Sequence, residues 1–211
     1  MSAPLTVGFD LDMTLVDSAA GIVATFQAAF AEIPGAPALT RDDVWPYIGI
    51  PLRATVEALA PQLDADEAVA HYRTVYPTLG ARMVQLLPGA LDAIAAVRSA
   101  GGRVLVISAK TQAGVEEVLT TVGLHAGPHA PDLVVGDLFA GAKGVRLKLE
   151  DATVYVGDHP GDVEAARVAS ALAVAVATGP TSSQALHEAG ADVVLPDLTA
   201  FPSWLASTFP A

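Results

Sequence analysis

The 211-residue chain suits one α/β domain, or a core with a small insertion, and its 52% hydrophobic content excludes a disordered protein. The net charge of −12, from 11 Lys and Arg against 23 Asp and Glu, disfavours nucleic acid and anionic membranes as partners. The absence of cysteine excludes disulfides, thiolate zinc sites and cysteine nucleophiles.

Six short apolar runs are predicted to form buried strands. The first, residues 5–9, contains a β-branched pair and is bounded by Pro4 and Asp10. The other five are residues 103–107, 133–135, 153–156, 172–176 and 193–195. Continuous rather than alternating apolar runs are typical of strands that are covered on both faces of a sheet.

Helical patterns separate most of these strands. They cover residues 89–100, 112–122, 162–169 and 182–188. Strands that alternate with helices predict an α/β fold with a doubly wound, mostly parallel sheet and right-handed crossovers.

The long stretch between the first and second strands interrupts this alternation. It lacks a convincing strand run and contains four candidate helix starts, at Ser18, Thr40, Pro51 and Asp64. We therefore predict two units: a helical cap at residues 17–87, and an α/β core made of residues 1–16 and 88–211.

Polar residues follow the predicted strands where each strand ends. Asp10 and Asp12 follow the first strand, Ser108 the second, and Asp158 the fourth; Lys143 lies in the connection after the third strand, and Asp162 lies one helical turn beyond Asp158. Because open parallel sheets bind ligands beyond the carboxyl ends of their strands, we expect these groups to converge at one edge.

Such a set suits phosphate chemistry. Residues two apart in an extended segment point the same way, so Asp10 and Asp12 can both face one substrate. Crowded carboxylates repel, and a divalent cation, with Mg²⁺ favoured by oxygen ligands, would relieve that repulsion. One aspartate could attack phosphorus while the other serves as general acid and base. Ser108 and Lys143 could hold the phosphoryl oxygens.

The order of these groups resembles the haloacid dehalogenase-like (HAD) superfamily, in its phosphoglycolate-phosphatase-like branch with a helical cap. The matching segments are Asp10-Leu11-Asp12-Met13-Thr14, Ser108-Ala109-Lys110, Lys143 and Gly157-Asp158-His159-Pro160-Gly161-Asp162. The resemblance covers nearly the whole chain and implies Mg²⁺-dependent hydrolysis of a small phosphorylated metabolite through an aspartyl-phosphate.

The resemblance also implies roles for individual residues. Asp10 would be the nucleophile and a metal ligand, and Asp12 the general acid/base, binding the metal through its backbone carbonyl. Thr14 would support their loop. The remaining roles would be phosphate contact for Thr14, Ser108, Ala109 and Lys143, and metal binding for Asp158 and Asp162, with Asp158 the more direct ligand.

This sequence departs from the family pattern at two places. Met13 stands where glycine is common, and Gly144 replaces the proline that often follows the lysine of the third motif. Lys148 competes with Lys143 for that role, but it falls in a predicted helix. We prefer Lys143 because the flanking Gly141 and Gly144 predict a loop around it.

Other residues near the predicted site have less specific signals. The segment Gly49-Ile50-Pro51 resembles the part of the cap that often faces the substrate. Arg53 could meet a substrate carboxylate or phosphate, although a solvated helix face is the favoured interpretation. Lys110 is equally compatible with the edge of the site and with a surface charge.

Three other functions use related residues. A haloacid dehalogenase attacks carbon and needs no magnesium, but Asp12 favours ester hydrolysis. A sugar-phosphate mutase returns the phosphoryl group to its substrate. A receiver-like signalling module holds an aspartyl-phosphate with similar groups, but a long helical insertion does not fit its compact domain. Among phosphatase substrates, phosphoglycolate, sugar phosphates and nucleoside monophosphates stay open.

The expected cellular setting follows from absent signals. The first residues carry no signal-like apolar run, and no apolar stretch is long enough to span a bilayer. The sequence therefore predicts a cytoplasmic protein without nucleic-acid or membrane partners, either a monomer or a homodimer.

Overall fold

The computed structural model describes residues 5–210, whose strands form a large parallel sheet and a small antiparallel pair. The strands in chain order are β1 (Thr6–Phe9), β2 (Val16–Asp17), β3 (Gln85–Leu86), β4 (Arg103–Ile107), β5 (Leu133–Val135), β6 (Val154–Gly157), β7 (Leu172–Val176) and β8 (Val193–Leu195). The six strands of the large sheet match the six predicted runs to within one residue, so the predicted α/β fold is confirmed.

Helices connect these strands. They are α1 (Ala19–Ala31), α2 (Arg41–Val44), α3 (Leu52–Leu59), α4 (Ala65–Val75), α5 (Ala90–Ser99), α6 (Gln112–Thr121), α7 (Gly141–Leu149), α8 (Pro160–Ala169), α9 (Ser183–Ala189) and α10 (Phe201–Thr208). Short 3₁₀ turns lie at Trp45–Tyr47, Gly80–Met83 and Leu198–Ala200.

The order of the large sheet places its switch point at β1. The strands run β5-β4-β1-β6-β7-β8, and every neighbouring pair is parallel. The chain therefore extends the sheet on one side of β1 through β4 and β5, and on the other side through β6, β7 and β8. A crevice forms where the strand order reverses, which makes the carboxyl end of β1 the expected ligand position.

Both faces of the large sheet are buried, as the continuous apolar strands predict. Along β4, Val104 and Val106 pack into one hydrophobic cluster, while Leu105 and Ile107 pack into another on the opposite face. Successive side chains of a strand point to opposite faces of the sheet. A strand that is buried on both faces therefore needs a continuous apolar run, whereas an alternating pattern would bury only one face.

Helices α1 to α4 lie in the segment between β2 and β3, within residues 17–87, which we call the helical insertion. Val16 pairs with Leu86 in the antiparallel ladder, so the chain leaves and re-enters the sheet region side by side. Thr40 caps α2 through a capping box with Asp43, as its side chain predicts.

Ser18 does not cap α1 with its side chain, so that expectation is wrong. The Ser18 hydroxyl is buried, while the Asp17 carboxylate accepts a hydrogen bond of 3.1 Å from the backbone N–H of Ala19. The preceding aspartate therefore takes the capping role at the start of this helix.

The segment around Lys143 is a helix, α7, and not the loop that its glycines predict. A Cβ on Gly144 would lie 2.5 Å from the Cβ of Val168 and 2.6 Å from the carbonyl oxygen of Ala165. Gly144 is therefore required by the close approach of α7 to α8. Glycine lowers helix propensity, and this packing contact offsets that loss.

No helix within residues 5–210 combines the length and the apolar character needed to cross a membrane.

The C-terminal helix α10, which the sequence pattern did not predict, completes one face of the core. Phe201 is fully buried, and its ring lies 5.6 Å from the ring of Phe9, edge to face.

Replacing Phe201 by Ala should lower the free energy of unfolding by about 3–5 kcal/mol, because it leaves a cavity against β1. Urea unfolding measures this loss. The exposed Ser203→Ala in the same helix is the control; equal stability of both variants would contradict the packing.

Candidate active site

The predicted strand-end residues converge at the switch point of the sheet. Asp10 follows β1, and its backbone N–H donates to the carbonyl of Val156 in β6 at 2.8 Å. Ser108 follows β4 and Asp158 follows β6, and all three side chains are buried. A cavity of about 420 Å³ opens beside Asp10 and Ser108 and extends to the helical insertion.

Lys143 places a buried ammonium between two carboxylates. Its Nζ lies 3.0 Å from Oδ1 of Asp10 and 2.7 Å from Oδ1 of Asp162, to which it donates a hydrogen bond. Burial lowers the pKa of Lys143, but Asp10 and Asp162 outweigh burial, so that pKa is raised well above its ordinary value. The competing Lys148 is exposed on α7 and takes no part in this arrangement.

Asp10, Asp158 and Asp162 form a buried carboxylate triad. Each offers an oxygen, and these oxygens lie within 4.8 Å of one another. Oδ1 of Asp158 accepts a hydrogen bond of 3.0 Å from the Thr14 hydroxyl, whereas Oδ2 has no hydrogen-bond partner within residues 5–210. Burial, followed by the charges of Asp162 and Asp10, raises the pKa of Asp158 well above its ordinary value.

Glycines bring the backbone close to this triad. A Cβ on Gly179 would lie 1.9 Å from Oδ2 of Asp158, and one on Gly157 would lie 2.3 Å from Cγ of Asp162. Sequence reasoning missed Gly179 and its neighbour Thr178, whose hydroxyl donates to the carbonyl of Met13. Both residues follow the end of β7, so the strand-end criterion could have found them.

Asp12 is separated from the triad. Its Oδ2 lies 3.3 Å from Nζ of Lys110, and its Oδ1 is buried without a hydrogen-bond partner among the residues described. Asp12 lines the cavity beside Asp10, so the two carboxylates face the same space but have different cationic neighbours. Lys110 belongs to the site and is not a surface charge, because its side chain is only 12% exposed.

The loop between Asp10 and Thr14 explains the unusual Met13. Its φ of 56° lies in the left-handed region, which favours glycine. Two hydrogen bonds hold it there: its N–H donates to the carbonyl of Val16 at 2.7 Å, and its carbonyl accepts from Thr178. The surrounding contacts therefore impose the conformation that glycine would adopt without strain.

The rest of the cavity wall comes from both parts of the chain. Ser108 and Ala109 line it from the core, and Oγ of Ser108 accepts a hydrogen bond of 3.3 Å from the N–H of Lys110. From the helical insertion come Gly49, Ile50, Pro51, Arg53, Tyr72 and Tyr76. The Arg53 guanidinium is half exposed and pairs with Glu57 and Asp66 of the insertion, as expected for a solvated helix face.

Comparison with known protein families shows the family to which the chain belongs. Residues 7–129 match the family model of haloacid dehalogenase-like hydrolases, and residues 133–201 match a HAD-hydrolase-like model. The chain therefore belongs to the haloacid dehalogenase-like hydrolase family. The predicted family and hydrolase class are thereby confirmed.

Individual relatives narrow the comparison. The chain is 33% identical to a plasmid-encoded phosphoglycolate phosphatase of Cupriavidus necator, and the match covers 97% of this chain and 95% of that protein. It is 32% identical over 175 residues to the tyrosine-protein kinase PtkA of Mycobacterium tuberculosis, covering 78% of this chain but only 59% of PtkA. Its fold matches a haloacid dehalogenase-like hydrolase from Streptococcus pneumoniae with a TM-score of 0.81 at 24% identity, covering 99% and 100% of the two chains.

The burial of Asp10 makes a prediction for protein kept free of metal by a chelator. The pKa of Asp10 is raised from 3.8 to about 7, mainly because the carboxyl group is buried. The nearby Lys143 ammonium lowers this pKa but does not outweigh burial. Between these values the folded state binds more protons than the unfolded state, so this group makes stability fall as pH rises towards 7. Asp10→Asn should therefore gain stability relative to wild type between about pH 5 and about pH 8.

Urea unfolding of both proteins across this range measures the difference. Asp42→Asn is the control because the Asp42 side chain is almost fully exposed. A stability difference between Asp10→Asn and wild type that does not change with pH would show that Asp10 titrates at its ordinary pKa.

Proposed function

We propose that this protein is a Mg²⁺-dependent phosphatase that hydrolyses a small phosphomonoester through an aspartyl-phosphate on Asp10. One observation carries the proposal: the carboxylate of Asp10 belongs to the buried triad and also lines the cavity. A group in that position can bind a metal and meet a substrate at the same time.

The side chains at the site fit a magnesium ion. Four carboxylates (Asp10, Asp12, Asp158 and Asp162) lie near two ammonium groups (Lys110 and Lys143), which leaves two negative charges uncompensated if all are ionised. The unpartnered Oδ2 of Asp158 supplies a free ligand atom. Asp10, Asp158, Asp162 and the backbone carbonyl of Asp12 would hold the ion, which supplies charge neutralisation for the carboxylates and the phosphate.

The reaction takes place in two steps on the protein side chains. An oxygen of Asp10 attacks phosphorus, the phosphorus–oxygen ester bond breaks, and Asp12 donates a proton to the leaving oxygen. Asp12 then removes a proton from water, which attacks the aspartyl-phosphate, releases inorganic phosphate and restores Asp10. Ser108, Ala109 and Lys143 contact the phosphoryl oxygens, and Thr14 supports Asp158.

The helical insertion, residues 17–87, acts as a cap over a core formed by residues 1–16 and 88–211. Its residues Ile50 and Tyr72 line the same cavity as Ser108, where they can exclude water and contact the leaving group. The preferred substrate is phosphoglycolate or a similarly small phosphomonoester. The C. necator phosphatase supports this choice because it matches over nearly its full length.

The remaining alternatives are less well supported. A dehalogenase has no use for the carboxylate of Asp12, which lines the cavity beside Asp10. A receiver-like module leaves the helical insertion without a role. Kinase activity is not proposed, because the chain spans only 59% of the length of PtkA. A mutase would release isomerised phosphate ester, which the following assay distinguishes from free phosphate.

Phosphate release from a panel of phosphomonoesters, with phosphoglycolate included, tests the proposal. Wild type with Mg²⁺ should release phosphate, and Asp10→Asn should lower turnover by about a thousandfold or more with the fold retained. Lys148→Met is the matched surface control and should keep full activity. Unchanged turnover in Asp10→Asn, or full activity in excess chelator, would contradict the proposed mechanism.

Replacement of a single triad member should change the metal requirement. Asp158→Asn removes one charged ligand while the amide oxygen can still accept from Thr14, so half-saturation should need about ten- to a hundredfold more Mg²⁺. Titration of activity with Mg²⁺ measures this shift. An unchanged half-saturating concentration would exclude Asp158 as a ligand.

A further inference from the structure

Lys110 connects three parts of the site. It lies beyond the end of β4, and its Nζ is 3.3 Å from Oδ2 of Asp12 and 4.3 Å from the centre of the Tyr76 ring. Tyr76 directly follows α4 in the helical insertion, whereas Asp12 follows β1. A single side chain thus contacts both the proposed acid/base and the proposed cap.

The contact with Lys110 orients the carboxylate of Asp12. Among the ion pairs of residues 5–210, Lys110 is the only partner of Asp12, and it lies against Oδ2. Oδ1 is left without a hydrogen-bond partner in the same part of the chain and is therefore free for proton transfer. A general acid must point at the oxygen that it protonates, so fixing one carboxylate oxygen also fixes the direction of the other.

Lys110 is itself held by an aromatic row. Tyr76 stacks on Tyr72 with ring centres 5.7 Å apart, and Tyr72 packs on Phe26 of α1 at 4.6 Å. Lysine has a long and flexible side chain, and a cation over a buried aromatic face is stabilised by the ring quadrupole. The row therefore restricts the Lys110 ammonium to the position from which it reaches Asp12.

We propose that Lys110 is a positioning residue for the acid/base Asp12, and that the ring of Tyr76 holds Lys110 in place for this purpose. The proposal rests on the phosphatase function given above. It assigns to the helical insertion a contribution to the chemical step, in addition to covering the site.

Substrates whose leaving groups differ in their need for a proton can test this role of Lys110. Departure of an alkoxide needs a proton from Asp12, whereas p-nitrophenolate is a stable anion that leaves without one. The constant kcat/KM includes the steps up to the departure of the leaving group and excludes later hydrolysis of the aspartyl-phosphate. A misplaced Asp12 should therefore lower kcat/KM for an alkyl phosphate much more than for p-nitrophenyl phosphate.

Four variants test the proposal in the presence of Mg²⁺. Lys110→Met should lower kcat/KM for the best alkyl phosphomonoester at least about tenfold more than for p-nitrophenyl phosphate. Lys110→Arg, which keeps a cation able to stack on the ring, should recover most of the loss. Tyr76→Leu should behave like Lys110→Met, whereas Tyr76→Phe keeps the ring and should therefore keep the wild-type ratio of the two kcat/KM values. Lys148→Met is the surface control and should have no effect.

Several outcomes would overturn the inference. Equal losses on both substrates in Lys110→Met would indicate a general structural or phosphate-binding role, and wild-type behaviour of Tyr76→Leu would remove Tyr76 from the account. Thermal melts show whether each variant is folded; if Lys110→Met is not, the two tyrosine variants decide the question. Absence of any phosphomonoester turnover in wild type would instead refute the proposed function, and this inference with it.

Discussion

The ammonium of Lys143, buried between Asp10 and Asp162, makes the rest of the site possible. Carboxylates packed below the protein surface repel one another and lose hydration, and a buried cation offsets both costs only if its geometry is maintained. Helix α7 supplies Lys143 and α8 supplies Asp162, so the two helices must approach closely. Gly144 permits that approach, because any side chain there would collide with Val168.

Asp10 and Asp12 are close in sequence, but each carboxylate has a different lysine beside it. Asp10 lies beside Lys143 in the triad and Asp12 lies beside Lys110, while both carboxylates line the cavity. In the proposed mechanism, the same short loop would present one carboxylate to a metal and the other to a leaving group, with a different local field at each. Environment rather than residue type thus distinguishes the proposed nucleophile from the proposed acid/base.

Continuous apolar strands and the polar residues at their ends were sufficient to predict the parallel sheet and the convergence of Asp10, Ser108 and Asp158, because both depend on local sequence. The start of helix α7 around Lys143 was not predictable in this way, since the benefit of Gly144 lies in contacts with α8. The place of Lys110 depends on Tyr76, which only the fold of the insertion brings near it. Long-range packing, not local propensity, therefore determines both the start of α7 and the position of Lys110.

The proposed mechanism depends most directly on a phosphoryl group bound to Asp10. Acid quenching during turnover with Mg²⁺, followed by borohydride reduction and peptide mass spectrometry, traps an aspartyl-phosphate as homoserine at the modified position. An aspartyl-phosphate on Asp10 predicts homoserine at position 10 in wild type and its absence when substrate is omitted. Reduction at another aspartate, or no modification during active phosphate release, would contradict it.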